Sequence, residues 1–336
     1  RHKFLVENPS YAHHPLYRMR CDLPSGPWSC ILYERRDRVA YLALNRPHRG
    51  NGITQDLTRE LALAVEHANL DPKVHVIGLF GQGRGFCGGY DLVESAEGSF
   101  QDFSTTDASG SPTSAAVIAA NHNPNGTWDP MVDFAMMMRN VRGFMSLFRS
   151  DKPVICKVHG FCVAGGTDMA LCSDMLLIED DAKIGYSPAR VWGVPTTAMW
   201  MDRIGTQRAK RLLYTGDLLS GKVAAEWGLA LESHPAAELN VRFEQLLRRV
   251  ALTPINQLFM HKLVCNRPLI ESGLDSNQVL SVLLDGVARH SPEGYEWAKL
   301  AKEKGFKEAV RQRDLPFQEN EKRTSTLSRD ALAAKL

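Results

Sequence analysis

Apolar and polar positions alternate over residues 29–33 and again over 39–44, with the charged turn Glu34-Arg35-Arg36-Asp37-Arg38 between them, which predicts a hairpin. The period then changes. Leu57, Leu61, Ala64, Val65 and Ala68 recur at helical spacing within residues 56–69, Thr54 stands where an N-cap belongs, and Pro72 follows the end. Residues 74–80 form a short unbroken apolar run, the mark of a buried strand, and 154–158 and 175–179 read the same way. Helices are predicted over 132–148, from the glycine-rich turn at 160–168 to about Cys172, and over 207–214, 221–227 and 239–251. Beyond about residue 253 the pattern is helical to the end, with a charged stretch at 298–313.

Strands in the first half and helices in the last third predict an α/β core with a helical C-terminal region. The expected division is an extended, proline-bearing arm over 1–27, a core over 28–252, and helices over 253–336. Residues 95–130 turn polar, lack sustained periodicity, and read as a long inserted loop.

Composition narrows the function classes. Forty basic against 38 acidic residues leave a net charge of +2, so neither a nucleic-acid footprint nor a strongly steered partner is implied, and any anion site is local. No apolar run reaches the ~20 residues of a membrane span, and Arg1-His2-Lys3-Phe4 lacks a signal-peptide core. Seven cysteines with no Cys-x-x-Cys pair suit reduced thiols, and a cytoplasmic location is the expectation. No His, Cys or carboxylate spacing suggests a metal site.

Two glycine-rich turns carry the candidate chemistry. Gly160-Phe161-Cys162-Val163-Ala164-Gly165-Gly166-Thr167-Asp168 joins a predicted strand to a helix, so unpaired backbone N–H groups point outward beside an acid. Gly81-Gln82-Gly83-Arg84-Gly85-Phe86-Cys87-Gly88-Gly89-Tyr90-Asp91 follows another strand in the same manner. Its Gly83 to Gly88 portion fits G-x-G-x-x-G, but a dinucleotide site needs a long helix at once and an acid about 20 residues on, and neither is found.

The segment Leu44-Asn45-Arg46-Pro47-His48-Arg49-Gly50-Asn51-Gly52-Ile53 and the two glycine loops, in this order and at these separations, resemble the crotonase family of enoyl-CoA hydratases and isomerases. The resemblance spans roughly residues 32–231. It implies a crotonase-like ββα spiral core whose C-terminal helices serve trimerisation, giving a homotrimer or homohexamer, and an acyl-CoA substrate whose coenzyme A is part of the substrate, with no separate cofactor. It further implies that the backbone N–H groups of Tyr90 and Gly165 bind the thioester oxygen, with Gly88 and Gly89 beside them, and that Asp168 is the acid/base. Arg84 matches a residue that contacts the coenzyme A phosphates, and His48 and Arg49 fall at the adenosine end.

The sequence departs from the family at the second catalytic glutamate, where Pro188 stands instead within Ile184-Gly185-Tyr186-Ser187-Pro188-Ala189-Arg190. Tyr186 and Arg190 lie in that segment, and His122, Asp129 and Asp133 are further polar candidates from the inserted region. His159 at a strand end reads as structural, and Met136, Met137, Met138, Phe144 and Phe148 read as core or pocket wall rather than a cofactor box. The activity implied is of the enoyl-CoA hydratase/isomerase type, with another crotonase reaction on a single carboxylate (isomerisation, decarboxylation or C–C hydrolysis) or an impaired acyl-CoA-binding protein as alternatives.

Overall fold

The computed structural model describes residues 28–91 and 114–333. The predicted arm 1–27 and most of the first part of the insertion lie outside the described residues. Strands β1 (Ile31–Arg36) and β2 (Val39–Leu44) form the expected antiparallel hairpin, and β3 (Val76–Gly81), β4 (Val154–Val158), β6 (Met175–Glu179) and β9 (Glu232–His234) extend it in parallel. The resulting mixed sheet has the order β1-β2-β3-β4-β6-β9. A smaller sheet of β5 (Phe161–Val163), β7 (Lys183–Gly185) and β8 (Leu218–Ser220) stands beside it. Strand β5 lies inside the second glycine loop and was hidden from periodicity by its three-residue length.

Helix α1 (Gln55–Leu70) starts where Thr54 accepts the Leu57 N–H at 3.1 Å, as the capping pattern predicts. Its apolar stripe, Leu57, Leu61, Ala64, Val65 and Ala68, is buried in the core beneath the sheet. Glu60 on the same helix accepts N–H bonds from Ser29, Cys30 and Ile31, which fixes where β1 begins. The segment 95–130 is not loop to its end: α2 (Ser114–Asn121) forms there, on an alanine-rich stretch whose composition favours a helix without a polar face to reveal it. Helix α3 (Pro130–Phe148) follows, capped by Asp129, and packs on α1.

Helix α4 (Gly165–Leu171) leaves the second glycine loop. Helix α5 (Trp200–Thr215) is kinked at Gly205, φ 74°, which is why its first half escaped the periodic reading that began at residue 207. After the short α6 (Gly221–Glu226), helix α7 (Ala236–Ala251) sets Leu239, Phe243 and Leu247 against Val39, Tyr41, Val76, Ile155 and Leu177 on the sheet's other face. The C-terminal region is four helices: α8 (Ile255–Glu271), α9 (Leu274–Arg289), α10 (Pro292–Lys304) and α11 (Phe306–Ala333). Lys262 pins α8 to the core, donating to Leu147 O, Lys152 O and Asp174 Oδ2. Helix α9 packs on α3, and that contact brings the C-terminal region to the site.

Candidate functional site

The two glycine loops meet. Cys87 pairs with Cys162 as a parallel bridge, its carbonyl accepting the Val163 N–H at 3.0 Å. Gly89 has φ +98°, and a Cβ there would lie 2.7 Å from the Ala164 Cβ, so only glycine allows this approach. Ala164 itself has φ 53° and ψ −131°, a conformation costing about 1–3 kcal/mol for a non-glycine residue and held by its surroundings. One support is its own N–H, donated to Gly185 O at 3.1 Å. Downstream of Ala164, Gly165 is the first residue of α4, and its amide has no acceptor among the described residues; neither has the Tyr90 amide.

These amides border a cavity of about 500 Å³ that is mostly apolar on its walls. Gly88, Tyr90, Gly165 and Tyr186 line it, together with Pro188, Met136 and Met137. The two methionines are pocket wall, one of the two readings their sequence suggested. A shallower hollow of about 220 Å³ adjoins through Gly88, Tyr90, Asp91 and Phe306 and is bordered by His48, Arg49 and Gly89. Arg49 forks onto Asp91 (3.2 and 2.7 Å), which also pairs with Arg46 at 2.9 Å. Arg84 is exposed on the first loop and forms no ion pair among the described residues.

Asp168 does not reach the cavity wall. Its carboxylate is fully buried and is held by Thr197 Oγ1 (2.9 Å), Thr197 N (3.3 Å), and Thr196 N and Oγ1 (both 3.4 Å). Burial raises its pKa to about 7 against the lowering effect of those bonds. The short α4 turns its first-turn acid toward the threonine pair rather than toward the loop junction. Arg190 is also placed elsewhere: its guanidinium is spent on Thr215 O, Asp314 and Asp217.

Other acids line the cavity. Asp133 on α3 accepts from Asn121 Nδ2 (2.9 Å) and Trp128 Nε1 (2.8 Å), and its other oxygen lies 3.0 Å from Arg289 Nη2. Among the described residues Asp285 on α9 accepts only the Val194 N–H, at 3.2 Å, and it lies 3.4 Å from the same Arg289 nitrogen. Burial raises the Asp285 pKa, and the Arg289 charge opposes that rise. His122 joins them: burial, then the neighbouring His290 and Arg289, depress its pKa to about 4, so it is neutral at pH 7. Tyr90 and Tyr186 are kept as neutral phenols by burial and by the nearby Asp168. Asp129 caps α3, and His159 bonds Gly83 O at 2.9 Å, as a structural histidine would.

The sequence reading missed Asp285 and Arg289. Helix α9 buries Leu274, Gln278, Val282 and Asp285 while exposing Val279, Leu280, Leu283 and Leu284, so its more apolar face is the outer one. An acid–base pair one turn apart on the less apolar face was the available signal. Among the described residues no group of three or more His, Cys, Asp or Glu is arranged to hold a metal ion, and no helix is long and apolar enough to cross a membrane.

Comparison with known proteins follows the same lines. The profile of the family described as Enoyl-CoA hydratase/isomerase matches residues 34–118 and 134–280. A crystal structure of enoyl-CoA hydratase from Mycobacterium smegmatis superposes with TM-score 0.77 at 49% identity, covering 85% of this chain and 94% of that one. Hydroxycinnamoyl-CoA hydratase-lyase of Pseudomonas fluorescens is 28% identical over 67% of this chain and 74% of its own length. The 1,2-epoxyphenylacetyl-CoA isomerase of Escherichia coli is 27% identical over 70% and 81%.

Proposed function

The chain belongs to the enoyl-CoA hydratase/isomerase family, whose fold it carries as a crotonase-like mixed α/β structure, and on that footing we propose that it works on an acyl-CoA by passing through a thioester enolate. The observation that carries this reading is the pair of amides, Tyr90 N–H and Gly165 N–H, without an acceptor among the described residues, at the junction of two loops on one cavity. Removing a proton next to a thioester builds negative charge on its oxygen. Preorganised N–H donors at a helix N-terminus stabilise that charge by ~3 kcal/mol each in a dry site. Coenzyme A enters as part of the substrate, with no further cofactor; His48 and Arg49 border the adjoining hollow, and Arg84 is the cation assigned to the phosphates.

The proton passes to Asp285. Asp285 lines the cavity with fewer bonds than Asp133, and burial lifts its pKa toward the range in which a carboxyl both accepts and returns a proton. Asp133, saturated by Asn121, Trp128 and Arg289, orients Arg289. Ser187 and Pro188 line the wall where the family's second glutamate is expected, so double-bond migration or another enolate reaction fits better than water addition by two glutamates. Deuterium exchange at the α carbon of butyryl-CoA, followed by NMR, tests the assignment. Asp285→Asn is expected to slow exchange at least ~100-fold, the usual worth of a general base, and Asp168→Asn less than tenfold. The reverse order would return the acid/base role to Asp168. The same reading extends to assembly: copies of the chain associate through the exposed apolar faces of α8 and α9, as a trimer or a dimer of trimers.

A further inference from the structure

One guanidinium is divided between two buried carboxylates at the cavity wall. Arg289 Nη2 lies 3.0 Å from an Asp133 oxygen and 3.4 Å from an Asp285 oxygen, and among the described residues it is aligned for a hydrogen bond with neither. Its charge is shared by proximity and committed to no single partner. Asp285 and Arg289 stand one turn apart on α9, while Asp133 comes from α3. Gly286 lets the two helices close, since a Cβ there would lie 3.2 Å from the Asp133 Cβ.

With both acids ionised, two carboxylates and one guanidinium carry one negative charge in excess. Away from bulk water that excess favours the uptake of one proton. The two acids are not equal in taking it. Asp133 receives Asn121 Nδ2 and Trp128 Nε1 on its second oxygen, with His290 Nδ1 at 3.7 Å, whereas Asp285 receives the Val194 N–H. Donors favour the charged form of a carboxylate, so the proton falls to Asp285.

From this geometry we infer that Arg289 is a positioning residue whose divided charge sets the pH at which Asp285 takes and returns its proton. The inference rests on the assignment of Asp285 above and adds how that base is tuned. Asp168 on α4 and the phenols of Tyr90 and Tyr186 also feel the Asp285 charge, and of these only Asp168 has a negative charge to bring near neutral pH. His122 and His290 stand against Asp133 and Arg289 instead. Removing the guanidinium takes away the cation that favours ionised Asp285, so its proton is held to higher pH. Removing the Asp133 charge takes away a repelling carboxylate and leaves the arginine to Asp285, so its proton leaves at lower pH.

The test is the pH profile of α-proton exchange on butyryl-CoA by the full chain and its variants. Arg289→Gln is expected to move the midpoint of the rising limb upward and Asp133→Asn to move it downward, with Arg289→Lys returning it toward the wild type. A merely structural role would slow exchange without displacing the midpoint in opposite directions. Where a variant turns over too slowly, carbon-13 NMR titration of the Asp285 carboxyl, assigned by its loss in Asp285→Asn, reads the same shifts without substrate. Repeating that titration with Asp168→Asn added removes the third acid from the comparison. Midpoints that stay fixed, or move the same way in Arg289→Gln and Asp133→Asn, overturn the inference while an inactive Asp285→Asn leaves the base standing. If Asp285→Asn exchanges as fast as the wild type, the base is misassigned and this inference falls with it.

Discussion

Asp168 is costly to ionise where it sits. The unfolded chain holds this carboxyl near 3.8, and burial lifts it to about 7 in the fold. The folded state therefore keeps a proton that the unfolded state releases between those values, and the associated stability is full below about pH 4 and lost as pH rises through 7. The urea midpoint should fall from pH 5 to pH 8, and Asp168→Asn should flatten that fall. An unchanged slope in the variant would mean that Thr196 and Thr197 keep the carboxylate ionised throughout. In the sequence Asp168 was visible as a first-turn acid beside a glycine loop. Its direction was not, because that depends on threonines 28 and 29 residues downstream.

At the scale of elements, one side chain holds the first loop in shape. Asn51 is fully buried in the left-handed region at φ 54°. Its Nδ2 lies within hydrogen-bond reach of Gln82 O, Gly85 O and Phe86 O (2.9, 3.1 and 2.9 Å), and its Oδ1 accepts the Arg46 N–H at 2.9 Å. Asn51→Ala orphans these groups and places alanine at positive φ. The expected loss is ~3 kcal/mol or more, measured by urea denaturation, with acyl-CoA turnover falling further as the Tyr90 amide loses its position. A loss below 1 kcal/mol would show that the loop is held by its contact with β5 instead. Elements with long, clean periods were legible: α1 ends within one residue of its predicted bounds, and Thr54 caps it. Three-residue strands such as β5 and β7 carry too few positions to show a period, and in the C-terminal region, read only as helical, Gly305 at φ 83° divides the charged stretch 298–313 between α10 and α11.

For the whole molecule the outer surface of the C-terminal helices is the unsettled account. Val264 is 72% exposed, Leu263 56% and Leu280 55%, with Phe259, Met260, Leu283 and Leu284 also exposed on α8 and α9. Large apolar side chains exposed in this number on two neighbouring helices suit an association surface. Sedimentation equilibrium is expected to give three or six times the 37.4 kDa chain mass, and Val264→Asp with Leu280→Asp to shift it toward one; wild-type protein sedimenting as a monomer at micromolar concentration would rule the assembly out. The glycine loops made one half of the site readable. The other half was not, since Asp285 and Arg289 lie more than 100 residues from the loops and no local spacing links them. That separation also sets an order of events during synthesis. The chamber's wall draws on Ile53 near one end of the described chain and on Phe306, Val310 and Arg313 near the other. Contacts so distant in sequence form late. A nascent chain still attached to the ribosome can thus complete its sheet and glycine loops while its reaction chamber stands open to water, and the chemistry waits on the last helices to emerge.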